Sequence, residues 1–166
     1  MSLLPDITEF QKKLSTLPIA KFQAGDSVLA AGARTGQLLI LKKGAVSIVR
    51  ETVEIAKVTE VGAVLGELSA LLEQPHTADV RALEPSEFYV ADAATLLVQD
   101  STVLLYVAAL LARRLDRANG AVIELKNQVQ AGQPPGRISK TIQKIQEFLA
   151  PSGADLVYPG YPFPIF

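Results

Sequence analysis

The sequence predicts a mainly β fold with helices at both ends: a sandwich or barrel of short strands interrupted by one short helix. Three observations predict it. From Phe22 to about Val90, β-rich runs alternate with Gly25, Gly32, Gly36, Gly44 and Gly62, and several short strands at regular spacing indicate an all-β sandwich or barrel. Inside that stretch, Leu68, Leu71 and Leu72 recur at helical spacing. After Ala91, apolar residues follow alternating steps of four and three as far as Val129.

The elements follow in order. Ile7, Phe10, Leu14 and Leu17 share one face of an amphipathic helix over residues 6–17, which Pro18 ends. Strand-like runs cover Ser27–Leu29, Gln37–Leu41, Ala45–Arg50, Val53–Val58, Val80–Leu83 and Phe88–Val90. Gly66–Leu72 reads as a short inserted helix that Glu73-Gln74-Pro75 closes. A long helix follows to about Val129, with a heptad seam at Leu104, Ala108, Leu111, Leu115, Ala118, Val122, Leu125 and Val129. Ala131–Gly136 is a Gly/Pro linker. Ile138, Ile142, Ile145 and Leu149 mark a last amphipathic helix, and residues 158–166 form a proline- and aromatic-rich tail. Two units result: residues 1–130, with a dimerisation helix at about 101–129, and residues 131–166.

Composition excludes several functions. The 166 residues carry a formal net charge of −1, which does not suggest the basic surface that phosphate-backbone binding needs. There are no cysteines and one histidine, His76. Disulfides, thiolate nucleophiles, Cys-ligated zinc and a multi-histidine metal centre are out of reach. A cupin-type metal enzyme is therefore a poor reading, and the expectation is a protein that is not an enzyme, with no metal and no resident cofactor. Met1–Lys13 lacks the basic start and apolar run of a signal peptide, and no stretch reaches the roughly 20 apolar residues of a membrane span. The expected location is the cytoplasm.

The chemistry-bearing segment is Gly66-Glu67-Leu68-Ser69, followed by Pro75-His76-Thr77-Ala78-Asp79-Val80. It places a helix start, a carboxylate, a hydroxyl and one basic side chain within fifteen residues. A helix start offers unpaired N–H groups to an anion. With Phe22-Gln23-Ala24-Gly25-Asp26 before it, Gly44 after Leu39–Lys43, and Gly62, this segment resembles the phosphate-binding cassette of the cyclic nucleotide-binding domain family. The resemblance spans roughly residues 8–128. The family cassette reads Gly-Glu-Leu/Ile-Ala, a short gap, then Arg-Ser/Thr/Ala-Ala-x-Val.

The resemblance implies a double-stranded jelly-roll (β-roll) with a short inserted helix, an N-terminal helix and a long C-terminal helix. It implies cAMP or cGMP as ligand. Gly66 would let the backbone approach the phosphate, and the N–H groups of Glu67, Leu68 and Ser69 would face it. Glu67 would accept from the ribose 2′-hydroxyl. Thr77 and the Ala78 N–H would bind exocyclic phosphate oxygens, and Asn119 on the long helix would meet the purine edge. His76 departs from the pattern: it stands where the family has a permanently charged, bidentate guanidinium. A histidine clamp would strengthen binding as pH falls toward 6. Asp79 brings a negative charge close by, although strand parity lets it face away.

These departures leave a weak site, a different ligand or a lost one. The leading expectation is a regulatory module signalling through re-packing of the long helix. The alternative is a pseudo-receptor, a dimerisation scaffold of the same fold without nucleotide. The seam at Leu104, Leu111, Leu115, Val122 and Leu125 predicts a homodimer. The 30 residues after Gly136 hold one credible helix, so a two-helix DNA reader and direct DNA binding are not expected.

Overall fold

The computed structural model describes the backbone of residues 7–149 and the side chains of residues 10–146. The chain runs α1 (Ile7–Leu14), β1 (Ile19–Phe22), β2 (Ser27–Leu29), β3 (Gln37–Lys43), β4 (Val46–Arg50), β5 (Val53–Val58), β6 (Val64–Leu65), α2 (Glu67–Leu71), β7 (Asp79–Ala82), β8 (Ser86–Asp92), α3 (Ala93–Gln99), α4 (Ser101–Gln130) and α5 (Pro135–Leu149). The strands form two antiparallel four-stranded sheets, ordered β1-β8-β3-β6 and β2-β7-β4-β5. This is the expected β-roll with its inserted helix, its N-terminal helix and its long C-terminal helix. β1 and the two-residue β6 lie where the sequence showed no strand pattern.

β3 explains why alternation was hard to see. Leu38 and Ile40 join a cluster with Phe10, Leu97, Val103, Val107 and Leu110, under the helices. Leu39 and Leu41 point the other way, into a cluster with Val46, Ile48, Val58, Val80 and Phe88 between the sheets. A strand buried on both faces has no polar side to alternate. Gly44 makes the β3–β4 turn at φ 103°, and a Cβ there would collide with Ser86.

The predicted continuous helix after Ala91 is two helices bent by 104°. Asp100 makes the break. It is extended at φ −123° and ψ 96°, and its carboxylate caps α4 by accepting from the N–H groups of Thr102 and Val103. Lys13 Nζ reaches the same carboxylate at 2.6 Å, tying α1 to the joint. Phe10 and Tyr106 stack at 3.7 Å between ring centroids just beyond it.

α4 buries a different stripe from the predicted seam. Val103, Tyr106, Val107, Leu110, Arg114, Ala118 and Ala121 are its buried residues. Of the seam residues, only Ala118 is fully buried and Leu111 and Leu125 are half-buried, while Leu104, Leu115 (61% exposed), Val122 and Val129 face outward. The linker is shorter than expected, because α5 starts at Pro135, a residue suited to the first helical turn. α5 packs back on α4 and touches β5. The buried Thr141 hydroxyl donates to Gln128 at 3.0 Å. The predicted tail at 158–166 lies outside the described residues. No single described helix is long and apolar enough to cross a membrane.

Candidate functional site

The site is built where three pieces of chain meet: the β6–α2 turn, the segment leading into β7, and the middle of α4. β6 ends at Leu65, and Gly66 turns the chain into α2 at φ 88°. Only glycine adopts that conformation without strain. A Cβ on Gly66 would lie 2.5 Å from the Gln37 carbonyl oxygen. The expected collision with a phosphate is thus preceded by one with the protein's own β3. The Ser69 hydroxyl is turned to the other end of the helix, where it donates to the Gln74 carbonyl at 2.5 Å.

Glu67 is buried, with its side chain 4% exposed, and its Oε1 lies 2.7 Å from Nη1 of Arg114, whose side chain is 5% exposed. Arg114 comes from α4. Its Nε and Nη2 are buried without a hydrogen-bond partner among the described residues. The carboxylate expected to face a ribose therefore already holds a helix, and the guanidinium still has donors to give.

His76 is also buried, at 7% exposed. Its N–H donates to the Ala33 carbonyl at 2.9 Å, and its carbonyl accepts from the Gly32 N–H at 2.8 Å. Its Nε2 lies 2.9 Å from the Thr35 hydroxyl. Burial pushes the imidazole pKa down from its ordinary value, opposed by the Glu67 charge. Burial thus favours the uncharged imidazole over a charged clamp at position 76. Asp79 is accounted for: its carboxylate accepts from the Ala31 N–H at 2.9 Å, and it does not line the cavity. Arg34 donates to the Glu73 carbonyl at 2.8 Å, so the loop before β3 braces both α2 and the β7 lead-in.

These groups line a cavity of about 110 Å³. Leu29, Ile48, Ile55 and Leu65 form its apolar side, and Gly66, Glu67, Leu68, Ser69, His76, Thr77, Ala78 and Arg114 the rest. Seven of the eight candidate residues from Gly66 to Ala78 and Asn119 are brought together there; Asn119 is not. It is exposed on α4 outside the lining, because the helix turns the Arg114 stripe inward and the 119 position lies on another face. Arg114 and Thr35 were missed. An arginine four residues after Leu110 and seven after Val107 was a readable signal for the first. Nothing in the sequence marked the second.

The comparisons bear on the fold. Residues 19–98 match the family model described as cyclic nucleotide-binding domain. A cyclic nucleotide-binding domain from Methylobacillus flagellatus is 25% identical with a TM-score of 0.60, covering 70% of this chain and 72% of that one. The N-terminal domain of a transcriptional regulator from Streptomyces coelicolor A3(2) is 23% identical with a TM-score of 0.53, covering 70% and 86%. The PKAR CBD2 domain bound to Sp-2Cl-cAMPS is 21% identical with a TM-score of 0.48, covering 51% of this chain; the chain spans 57% of its length. No curated protein matches the chain. Over residues 19–98 the chain is thus similar to the cyclic nucleotide-binding domain family, whose domains are regulatory modules.

Proposed function

We propose that the chain is a regulatory module, not an enzyme, that takes cAMP or cGMP in the cavity and reports occupancy by re-packing α4. The observation that carries this reading is the buried contact between Glu67 of the cassette and Arg114 of α4. A ligand that competes for either group changes the free energy with which α4 is held, which is the coupling a signal requires. Arg114 Nε and Nη2 have donors to offer an anionic oxygen. Glu67 Oε1 is committed to Arg114, which leaves Oε2 for a ribose hydroxyl. The outward row Leu104, Leu115 and Val122, with half-buried Leu111 and Leu125, supports a homodimer through α4.

One observation favours the pseudo-receptor reading: the only histidine is buried and neutral, so the cassette holds no permanent positive charge of its own. Thermal melting decides between the two. Ligand at 100 times its dissociation constant adds about 2.7 kcal/mol, so millimolar cAMP or cGMP raises the melting temperature by several degrees if the site binds. No shift between pH 5.5 and 8 would end the reading as a cAMP or cGMP receptor.

A further inference from the structure

We propose that Thr35 fixes His76 as the tautomer with its proton on Nδ1, so that the uncharged imidazole donates a hydrogen bond to an anionic oxygen in the cavity. The inference deepens the proposed function and rests on that reading for the ligand, but not for the tautomer.

The Thr35 hydroxyl oxygen accepts from the Gln37 N–H at 3.3 Å. Thr35 is exposed, so solvent can serve its remaining lone pair, and we assign its proton to His76. Among the described residues, the only hydrogen bond it has left is the one to His76 Nε2, at 2.9 Å. A hydroxyl that donates to Nε2 requires that nitrogen to be unprotonated, and a neutral imidazole then carries its proton on Nδ1. Nδ1 makes no hydrogen bond among the described residues, and the ring borders the cavity. Its Cε1 edge lies beside Gly66, 3.7 Å from where a Cβ would stand, at the start of α2.

The surrounding charges leave that donor in place. Glu67 on α2 is paired with Arg114 on α4. Asp79 on β7 is held by the Ala31 N–H, and Arg34 in the loop before β3 by the Glu73 carbonyl. The positive charge toward an anion comes from Arg114, and His76 adds direction without charge. The substitution of histidine for the family's arginine is in this view a change of donor type, with Thr35 as the positioning residue that makes it work.

Because His76 is the sole histidine, imidazole nitrogen NMR reads it without assignment. In the ligand-free protein at pH 7.5, the expected spectrum is that of the Nδ1–H tautomer. Thr35→Val should lose it, giving the Nε2–H form or a mixture, while Thr35→Ser should keep it. An Nε2–H tautomer in the native protein, or a spectrum unchanged by Thr35→Val, overturns the proposal. Calorimetry with cAMP and cGMP supplies the second arm. Loss of one neutral hydrogen bond should weaken binding about 3- to 10-fold in Thr35→Val, with native affinity in Thr35→Ser and little change from pH 7 to 8. Equal affinity in Thr35→Val and native protein refutes the donor role. If neither nucleotide binds native protein, the receptor reading fails, and the tautomer is still decided by the ligand-free spectrum.

Discussion

The two polar walls of the cavity are held by opposite means. On the helical wall, Glu67 and Arg114 form a buried ion pair across 47 positions of sequence. On the loop wall, His76 is neutral and fixed by backbone bonds to Gly32 and Ala33 and by the Thr35 hydroxyl. Removing charges from water costs several kcal/mol per ion unless they are well paired. The helical wall bears that cost where it can link a ligand to α4. The loop wall, which has no helix to move, uses uncharged groups. The difference teaches that the permanent charges of this cavity sit on its two helices, α2 and α4, and are kept off the loop.

The sharpest way to break the comparison is Arg114→Ala. It leaves Glu67 buried and uncompensated, and should cost about 3–5 kcal/mol in urea unfolding. The Arg114→Met, Glu67→Gln double variant should recover most of that loss. A single variant within about 0.5 kcal/mol of the native protein would show that the pair holds nothing. Gly66→Ala comes next. Its forced φ and the contact with the Gln37 carbonyl should cost about 1–3 kcal/mol, read in the same assay. An unchanged midpoint would mean that the β6–α2 turn relaxes freely.

His76→Arg sharpens the loop wall. Restoring a charged fork should tighten cAMP or cGMP binding about 10-fold in calorimetry. Unchanged affinity would place the ligand's anionic oxygens away from position 76. The smallest effect is on pH. The folded pKa of His76 is lowered, so the unfolded chain takes up its proton first as pH falls. Stability from this group is complete above about pH 6.5 and declines as pH falls below it. His76→Gln should flatten the difference in urea midpoint between pH 5 and 7.5; an unaltered slope would assign the effect elsewhere. Asp100 titrates in a separate window. Its carboxylate is held low, first by the hydrogen bond from Lys13. Its contribution is present above about pH 3.9 and fades only as pH falls further.

Much of this was legible beforehand, for reasons that differ by element. The cassette was readable because a turn at positive φ admits glycine and the helix start follows directly. The roll was readable from its glycines, but β1 and β6 were not: one is a four-residue edge strand with a mixed face, the other two residues long. The α3–α4 break was present as Asp100-Ser101-Thr102, a capping signal that a continuous apolar period hid. The seam marked an outward row of α4, and the stripe that packs on the roll went unread, because α4 is apolar on adjacent faces and periodicity does not say which face meets the roll. Thr35 was invisible, since its role depends on a contact 41 positions away.

Asp100 has one more consequence. The same carboxylate terminates α4 and anchors Lys13 of α1, so the two helices share a pivot. In the proposed signal, a swing of α4 about the 104° joint would pull on α1 through this ion pair. The N-terminal helix is thereby a second lever on the same fulcrum, and a probe attached to it should register cavity occupancy from the opposite end of the chain.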